Sequence, residues 1–312
     1  MKTFDIEQPA SFTIGQNLRG LAVEMRPLEW SKNLLVFSGV IFSKSLTDIH
    51  NLWISLLGFA VFCAASSGVY IFNDLCDLQS DRRHPVKRNR PLASGALNVN
   101  IARFAMAFLF AAATIGSLAL SYTFALVIAV YLLTCIGYSL RLKDIVILDV
   151  ILIASGFVLR AVSGAILIGV APSEWLVLCT SMVALLIGFG KRRHEIVLLE
   201  DNAGDHRRSL HDYSLEFLDA IMNICAGAAV ITYALYTRAD ETVARVGSTA
   251  MLITIPFVVY GVFRYLFLIH KRRAGGDPVQ ILFHDRPTLL NLLLWIATVG
   301  LVIYLPRLWH LG

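Results

Sequence analysis

The residues best suited to chemistry lie in one stretch that begins at Asn73. On a helix, Asp74, Asp77 and Asp81 fall at positions i, i+3 and i+7, so their carboxylates share one face. A solvated loop end is the alternative, but it leaves three like charges side by side with nothing to offset them. Carboxylate and amide oxygens are ligands that Mg²⁺ prefers, so the stretch predicts a Mg²⁺ site. The predicted metal ligands are Asn73, Asp74, Asp77 and Asp81.

A basic run from Arg82 to Arg90 follows these carboxylates at once. Fixed positive charge beside a metal suits a phosphorylated substrate, because both attract the same phosphate oxygens. Pro91 and Gly95 then predict a rigid bend. We expect this bend to direct Arg82 and Arg90 toward a bound phosphate.

Two more polar clusters end predicted helices. The first is Tyr138 to Lys143. The alternative interpretation is that its basic side chains only extend toward water at the membrane surface. The second is Lys191 to Glu195, for which a basic membrane anchor is the alternative. Lys143 joins Asp74 and Asp77 as a predicted catalytic residue. The predicted substrate contacts are Lys32, Asn73, Arg82, Arg90, Tyr138, Arg141, Lys191 and Arg192.

Charged residues also occur within two predicted helices. Arg26, Glu29 and Lys32 recur three apart in the first one, where they are expected to complete a polar chamber. Arg160 lies deep in a later apolar segment, and a charge at that depth costs about 2.5–3.5 kcal/mol on insertion scales. Arg160 is therefore expected to face an interior partner, and a structural partner is favoured over a substrate.

Composition places the chain in a membrane. It is 57% hydrophobic and 16% charged, with a mean hydropathy of +0.67, which excludes an ordinary soluble domain. A net charge of +5 is typical of basic cytoplasmic loops in such a protein, and no nucleic-acid partner is predicted. The five cysteines lack the CxxC spacing of a zinc or redox site.

The apolar segments predict an all-α bundle of nine transmembrane helices, which forms one domain over residues 26–312 after a cytoplasmic segment at 1–25. The uncharged run from Phe104 to Leu140 is too long for one crossing, so two helices joined near Ser121 are expected. The predicted helices are 26–46, 51–72, 98–119, 122–140, 146–169, 174–190, 216–237, 248–269 and 288–306.

Basic residues predict the orientation. With a cytoplasmic N-terminus, twenty of the 27 Lys and Arg residues fall on the cytoplasmic side. The chain is therefore expected in the plasma (inner) membrane, surrounded by membrane lipids, with its dense polar clusters on the cytoplasmic face. Chemistry at one surface is favoured over a path across the bilayer, and a transporter is the least favoured function.

The acidic stretch, with Arg90-Pro91 through Gly95 behind it, resembles the UbiA superfamily of intramembrane prenyltransferases. Three further segments are similar to the decaprenyl-phosphate phosphoribosyltransferases of that superfamily: Arg26 to Phe37, Tyr138 to Asp149 and Gly190 to Glu195. Most aromatic prenyltransferases of the superfamily carry a second DxxxD-type motif after the sixth helix. Here Lys191 to Glu195 holds that place, and Glu200, Asp201 and Asp205 follow at a different spacing.

The resemblance implies a UbiA-like bundle with its active site on the cytoplasmic face. It also implies Mg²⁺-dependent transfer of 5-phosphoribose from phosphoribosyl diphosphate to a polyprenyl phosphate such as decaprenyl phosphate. Such a product leads to the lipid-linked arabinose donor in organisms with arabinose-containing cell walls. The alternative is a UbiA-type transfer of a prenyl group from prenyl diphosphate to an aromatic or other acceptor. The sequence leaves the lipid chain length and the oligomeric state open.

Overall fold

The computed structural model describes residues 14–200, 210, 212–272 and 284–305, and these residues form helices and connecting turns. The α-helices are α1 Ile14–Glu24, α2 Ser38–Phe42, α3 Ile49–Cys76, α4 Leu78–Arg83, α5 Val99–Leu120, α6 Tyr122–Leu140, α7 Leu148–Leu167, α8 Glu174–Glu200, α9 Leu215–Arg238, α10 Asp240–Val246, α11 Ile255–Arg272 and α12 Arg286–Tyr304. Four 3₁₀ helices join them, at Pro27–Phe37, Lys87–Asn89, Leu142–Asp144 and Ala250–Thr254.

Eight helices within the described ranges are long and apolar enough to cross a membrane. They correspond to the second to ninth predicted helices, and most of their ends lie within a few residues of the predicted ones. The turn expected near Ser121 is present, since α5 ends one residue before it and α6 begins one residue after it. The all-α membrane bundle is thus confirmed. The predicted end of the last helix, residue 306, lies outside the described residues.

The segment predicted as the first helix, 26–46, does not form one α-helix. Residues Pro27–Phe37 form a 3₁₀ helix and Ser38–Phe42 a short α-helix. A 3₁₀ helix rises about 2.0 Å per residue, so eleven such residues and five α-helical ones extend over about 30 Å, the thickness of a hydrocarbon core. The nine-crossing topology stays a prediction that this length supports.

This first segment packs on α7 through two glycines. A methyl group on Gly164 would lie 1.9 Å from the Val36 carbonyl oxygen, and one on Gly39 would lie 2.3 Å from the Gly164 backbone. Backbone-to-backbone contact of this kind needs residues without a side chain. The two glycines therefore hold the segment against α7, which also packs against α6 and α8.

Arg160 lies on the inner side of α7 and is 6% exposed. Its guanidinium donates to Asn33 Oδ1 at 2.7 Å, to the Gly156 carbonyl at 2.7 Å and to Tyr131 Oη at 2.8 Å. The face of the Tyr131 ring lies 4.8 Å from the guanidinium carbon, at cation–π distance. The interior partners expected for Arg160 are thus neutral groups of the first segment, α6 and α7.

The polar clusters lie at one end of the bundle. Ion pairs there join α8 to α9 through Arg193 and Asp219, and α11 to the start of α12 through Arg264 and Asp285. The opposite end holds Lys44, whose ammonium group donates to the Val246 carbonyl at 3.2 Å. The first segment connects these two ends.

Candidate active site

The acidic stretch lies where α3 ends at the polar end of the bundle. Asn73 and Asp74 belong to the last turn of α3, Asp77 interrupts the helix, and Asp81 lies on α4. The helix that would give the three carboxylates a shared face is therefore interrupted at Asp77, whose φ and ψ are −90° and 4°. The Asp81 N–H still donates to the Asp77 carbonyl at 2.8 Å, so the helical direction continues past the break.

Arg90 links the first and last of these carboxylates. Its Nη1 lies 2.9 Å from Asp74 Oδ1 and 2.6 Å from Asp81 Oδ2. Asp74 and Asp81 therefore face one guanidinium, in line with the shared face that their spacing predicts. The bend that positions Arg90 contains Pro91 and Gly95, and the φ of Gly95 is +79°, as a tight turn requires.

Arg26 binds the other oxygen of Asp74. Its Nη2 lies 2.5 Å from Asp74 Oδ2, and its backbone is left-handed with φ 51°. A left-handed backbone is strained for a residue other than glycine, and such strain is common at functional sites. Sequence reasoning placed Arg26 in the chamber but not on Asp74. The bend signal was present, because the residue before a proline is disfavoured in the right-handed helical region.

Lys143 binds Asp77. Its ammonium group lies 2.5 Å from Asp77 Oδ1, and the two side chains are 12% and 19% exposed. The 3₁₀ helix Leu142–Asp144 after α6 brings this lysine to the end of α3, 66 residues earlier in the chain. The structure thus brings together three predicted catalytic residues: Asp74, Asp77 and Lys143.

Residues of the first segment form a second polar group beside this one. Lys32 forms an ion pair with Glu29, and Tyr70 of α3 donates to the same carboxylate at 3.4 Å. Lys191 on α8 is exposed, and its positive charge also acts on Glu29. The Arg26 guanidinium also lies over the Tyr70 ring, so Arg26, Glu29 and Lys32 meet around this tyrosine, and the chamber that the sequence predicts there stays a prediction.

Arg192 points into the protein instead. It is 1% exposed and donates to Asp149 at 2.5 Å, Glu195 at 2.6 Å and Tyr138 Oη at 3.0 Å. Tyr213 donates to the second oxygen of Asp149 at 2.8 Å. These bonds tie α6, α7 and α8 together beside the site, and this arrangement favours a role in orienting Tyr138.

Arg82 and Arg141 lie in more exposed surroundings than the other arginines predicted to contact substrate. Both side chains are exposed, and neither forms an ion pair within the described part of the chain. The side chain of Glu200 and all of Asp201 and Asp205 lie outside the described residues.

Glu24 is a site residue that sequence reasoning missed. The last residue of α1, it is 2% exposed, and among the described residues no group donates a hydrogen bond to its Oε1. Burial, and next the nearby negative charge of Asp74, raise the pKa of Glu24 to about 7. The sequence carries no signal for this, since nothing in α1 indicates that its end lies beside Asp74.

The donor set fits a hard divalent cation, because it consists of carboxylates and one amide oxygen at the end of a single helix. As they stand, however, no three acidic, His or Cys side chains of the described residues lie close enough together to hold a metal. The carboxylates instead form ion pairs with three cationic side chains: Arg26, Arg90 and Lys143.

Comparison with known proteins places this chain in a family. Residues 34–285 match the UbiA prenyltransferase family. Decaprenyl-phosphate phosphoribosyltransferase of Mycolicibacterium smegmatis is 32% identical over 308 residues, which cover 95% of this chain and 96% of the relative. The enzyme of the same name from Corynebacterium glutamicum is 30% identical over 298 residues, covering 92% and 87%.

A solved structure has the same fold. The UbiA homologue from Archaeoglobus fulgidus bound to GPP and Mg²⁺ superimposes with a TM-score of 0.68 at 19% identity, over 91% of this chain and 99% of the other. The family match covers most of the chain and the named relatives cover nearly all of it, so the chain belongs to the UbiA prenyltransferase family and is a membrane-embedded transferase.

Proposed function

We propose that the protein transfers 5-phosphoribose from phosphoribosyl diphosphate to a polyprenyl phosphate such as decaprenyl phosphate, with Mg²⁺ at the acidic stretch. The bond between C1 of the ribose and the diphosphate oxygen breaks, and a bond from C1 to an oxygen of the lipid phosphate forms. The products are polyprenyl-phosphoryl-5-phosphoribose and diphosphate. The names of the two relatives support this choice within the family.

Asn73, Asp74, Asp77 and Asp81 would hold the metal. When bound, Mg²⁺ supplies charge stabilisation for the departing diphosphate. Arg26, Arg90 and Lys143 lie within ion-pair distance of these carboxylates and would donate to the oxygens of the same diphosphate. Lys143 is the best placed of the three to stabilise the diphosphate, because its side chain is only 12% exposed and water screens its charge least.

The lipid phosphate is already an anion, so its attack on C1 needs no general base. Residues in the chamber would bind the remaining phosphate groups, with Lys32 and Lys191 as the donors. Arg192 would act indirectly, because its guanidinium holds the Tyr138 hydroxyl at 3.0 Å beside the site.

One observation carries the choice of a phosphoribosyl over a prenyl donor. The continuation of α8 past the apolar core carries Lys191, Arg192 and Arg193, where the superfamily's aromatic prenyltransferases carry acidic residues. Lys191 is the exposed one of the three, since Arg192 and Arg193 pair with carboxylates of the protein. The 5-phosphate of phosphoribosyl diphosphate needs a cationic pocket, which a prenyl diphosphate does not. Lys191 with Lys32 supplies positive charge at this position.

The decisive experiment is a transfer assay with purified protein. Phosphoribosyl diphosphate labelled in the ribose is incubated with Mg²⁺ and polyprenyl phosphate, and the lipid phase is then extracted and counted. We expect label in the lipid phase that depends on both Mg²⁺ and the lipid, with one diphosphate released per labelled lipid.

Two results would overturn the proposal. Absence of labelled lipid, with transfer from prenyl diphosphate to an aromatic acceptor, would make the protein an ordinary prenyltransferase. Uptake of substrate into sealed proteoliposomes without Mg²⁺-dependent release of diphosphate would make it a transporter. The Asp48→Asn variant is the matched control, because Asp48 caps α3 at the opposite end and Asn caps a helix equally well.

A further inference from the structure

Each carboxylate of the proposed metal site already has a cationic partner from another part of the chain. Asp74 pairs with Arg26 at 2.5 Å and with Arg90 at 2.9 Å. Arg90 also pairs with Asp81 at 2.6 Å, and Lys143 pairs with Asp77 at 2.5 Å. Three carboxylates and three cations thus form a neutral network, here called the counter-ion network: Arg26, Asp74, Asp77, Asp81, Arg90 and Lys143.

Two carboxylates of this network are buried, whereas its three cations and Asp77 are 12–28% exposed. The side chains of Asp74 and Asp81 are 1% and 4% exposed, so their interactions with charge are screened far less than at a surface. A divalent cation that entered alone would add two charges to a neutral group. It would also leave the displaced guanidinium or ammonium group without its anion, which is unfavourable where that group is shielded from water over most of its surface.

A diphosphate changes this balance, because its oxygens accept the donors that leave the carboxylates. We infer that Arg26, Arg90 and Lys143 are internal counter-ions that make metal and diphosphate bind together, each weakly alone and tightly in the presence of the other. Such coupling is reciprocal, so each ligand raises the affinity for the other by the same factor. The inference rests on the proposed function only in assigning the carboxylates to the metal.

The placement of two of these cations allows them to change partners. Lys143 lies on the three-residue 3₁₀ helix Leu142–Asp144, and Arg90 follows the three-residue 3₁₀ helix Lys87–Asn89. Neither belongs to a long helix of the bundle, so a rearrangement of either side chain leaves the bundle packing intact.

Binding of Mn²⁺ alone to the full chain in detergent, followed by electron paramagnetic resonance, tests the inference. Lys143→Met frees Asp77, so we expect Mn²⁺ alone to bind this variant about tenfold more tightly than the unaltered protein. If Lys143 only contacted substrate, the affinity for metal alone would not rise. Arg193→Met is the matched control, because it removes the 2.5 Å pair with Asp219 at the same end of the bundle but outside the network, and we expect no change.

A second measurement uses the unaltered protein and guards against a variant that fails to fold. Melting temperatures are recorded with Mn²⁺, with inorganic diphosphate, and with both. We expect the shift with both ligands to exceed the sum of the separate shifts, since ligands stabilise a protein according to their affinity for the folded state. Additive shifts, or unchanged Mn²⁺ affinity in a folded Lys143→Met variant, would overturn the inference. Neither assay uses phosphoribosyl diphosphate or a lipid, so failure here is distinguishable from failure of the proposed reaction.

Discussion

At the scale of residues, the two central carboxylates of the site differ in burial and in the cations that they contact. Asp74 is 1% exposed and meets two guanidinium groups, whereas Asp77 is 19% exposed and meets one ammonium group. Loss of one member of a fully buried ion pair costs about 3–5 kcal/mol, and exposed pairs contribute far less. The two guanidinium groups on Asp74 are 28% and 27% exposed, so the cost of losing Asp74 lies between these limits. Asp74 therefore contributes to stability as well as to the proposed metal site.

Replacement of each aspartate by asparagine should separate these contributions. We expect Asp77→Asn to lower the Mg²⁺-dependent transfer rate roughly a hundredfold with a small change in melting temperature, because a transition-state ligand is lost. Asp74→Asn should lower the rate at least as much and the melting temperature clearly more. Rates come from the transfer assay and melting from a thermal-shift assay in detergent. Asp48→Asn should change neither, and full activity of both site variants would contradict the metal assignment.

Glu24 gives the site a dependence on pH. Burial raises its pKa to about 7, above the value near 4.5 of an unperturbed glutamate, so the folded state favours the protonated form. The stability that this contributes is fully present below about pH 4.5 and is lost as the pH rises through about 7. The charged groups that act on Glu24 are Asp74, which raises its pKa, and Arg26 and Arg90, which lower it.

The Glu24→Gln variant keeps the shape of the protonated form at every pH. We therefore expect its melting temperature to exceed that of the unaltered protein at pH 8 and to match it at pH 5. The measurement is thermal unfolding in detergent across this range. Glu241→Gln, at an exposed position at the other end of the bundle, should show no pH-dependent difference. An equal effect of Glu24→Gln at both pH values would mean that Glu24 does not change its protonation between them.

Sequence reasoning identified most chemical groups of the site but not their partners. The spacing of Asp74, Asp77 and Asp81 is a local property of the sequence, and on a helix it puts their side chains on one face. Contacts such as Lys143 with Asp77 join residues 66 positions apart, and they depend on how the helices pack. The buried position of Arg192 follows from packing in the same way, because its sequence neighbours Lys191 and Arg193 look equally basic.

At the scale of helices, apolar length was sufficient to locate eight crossings but not to describe the first segment. Helices α5 and α6 have long runs without competing charge, so their positions follow from composition. The Pro27–Phe37 segment carries Glu29 and Lys32 and takes 3₁₀ geometry, which hydrophobic periodicity does not distinguish from an α-helix. Its geometry is fixed by tertiary contact with α7, through Gly39 and Gly164.

The Gly164→Ala variant tests this contact. Its new methyl group would meet the Val36 carbonyl at 1.9 Å, so the first segment must move away from α7. Overpacking of this kind costs about 1–3 kcal/mol, so we expect a lower melting temperature. We also expect reduced activity, because Arg26 and Lys32 belong to the segment that is displaced. Gly227→Ala in α9 is the matched control, because a methyl group there meets nothing within 4 Å. Equal behaviour of the two variants would contradict the close contact.

At the scale of the whole molecule, the chain runs between two unlike ends. The end with Asp74 holds the ion pairs of the proposed site, and α1 terminates there at Glu24. At the other end, Tyr304 of α12 donates to the Val40 and Ile41 carbonyls at 3.3 and 3.1 Å. The described chain therefore begins at the polar end and finishes at the opposite one, as an odd number of crossings requires.

The basic connections predict that the polar end faces the cytoplasm, where phosphoribosyl diphosphate would be available to the proposed site. Labelling of introduced cysteines with a membrane-impermeant maleimide tests this in intact cells, in a chain whose exposed Cys76 is replaced by Ser. We expect Thr47→Cys and Glu241→Cys, exposed at the opposite end, to react from outside. Asn89→Cys and Asp144→Cys, exposed at the polar end, should react only after the membrane is opened.

The reverse labelling pattern would invert the topology and leave the proposed site without a cytoplasmic donor. Reaction of both pairs from outside would place both ends of the bundle on one side of the membrane and rule out the nine-crossing bundle.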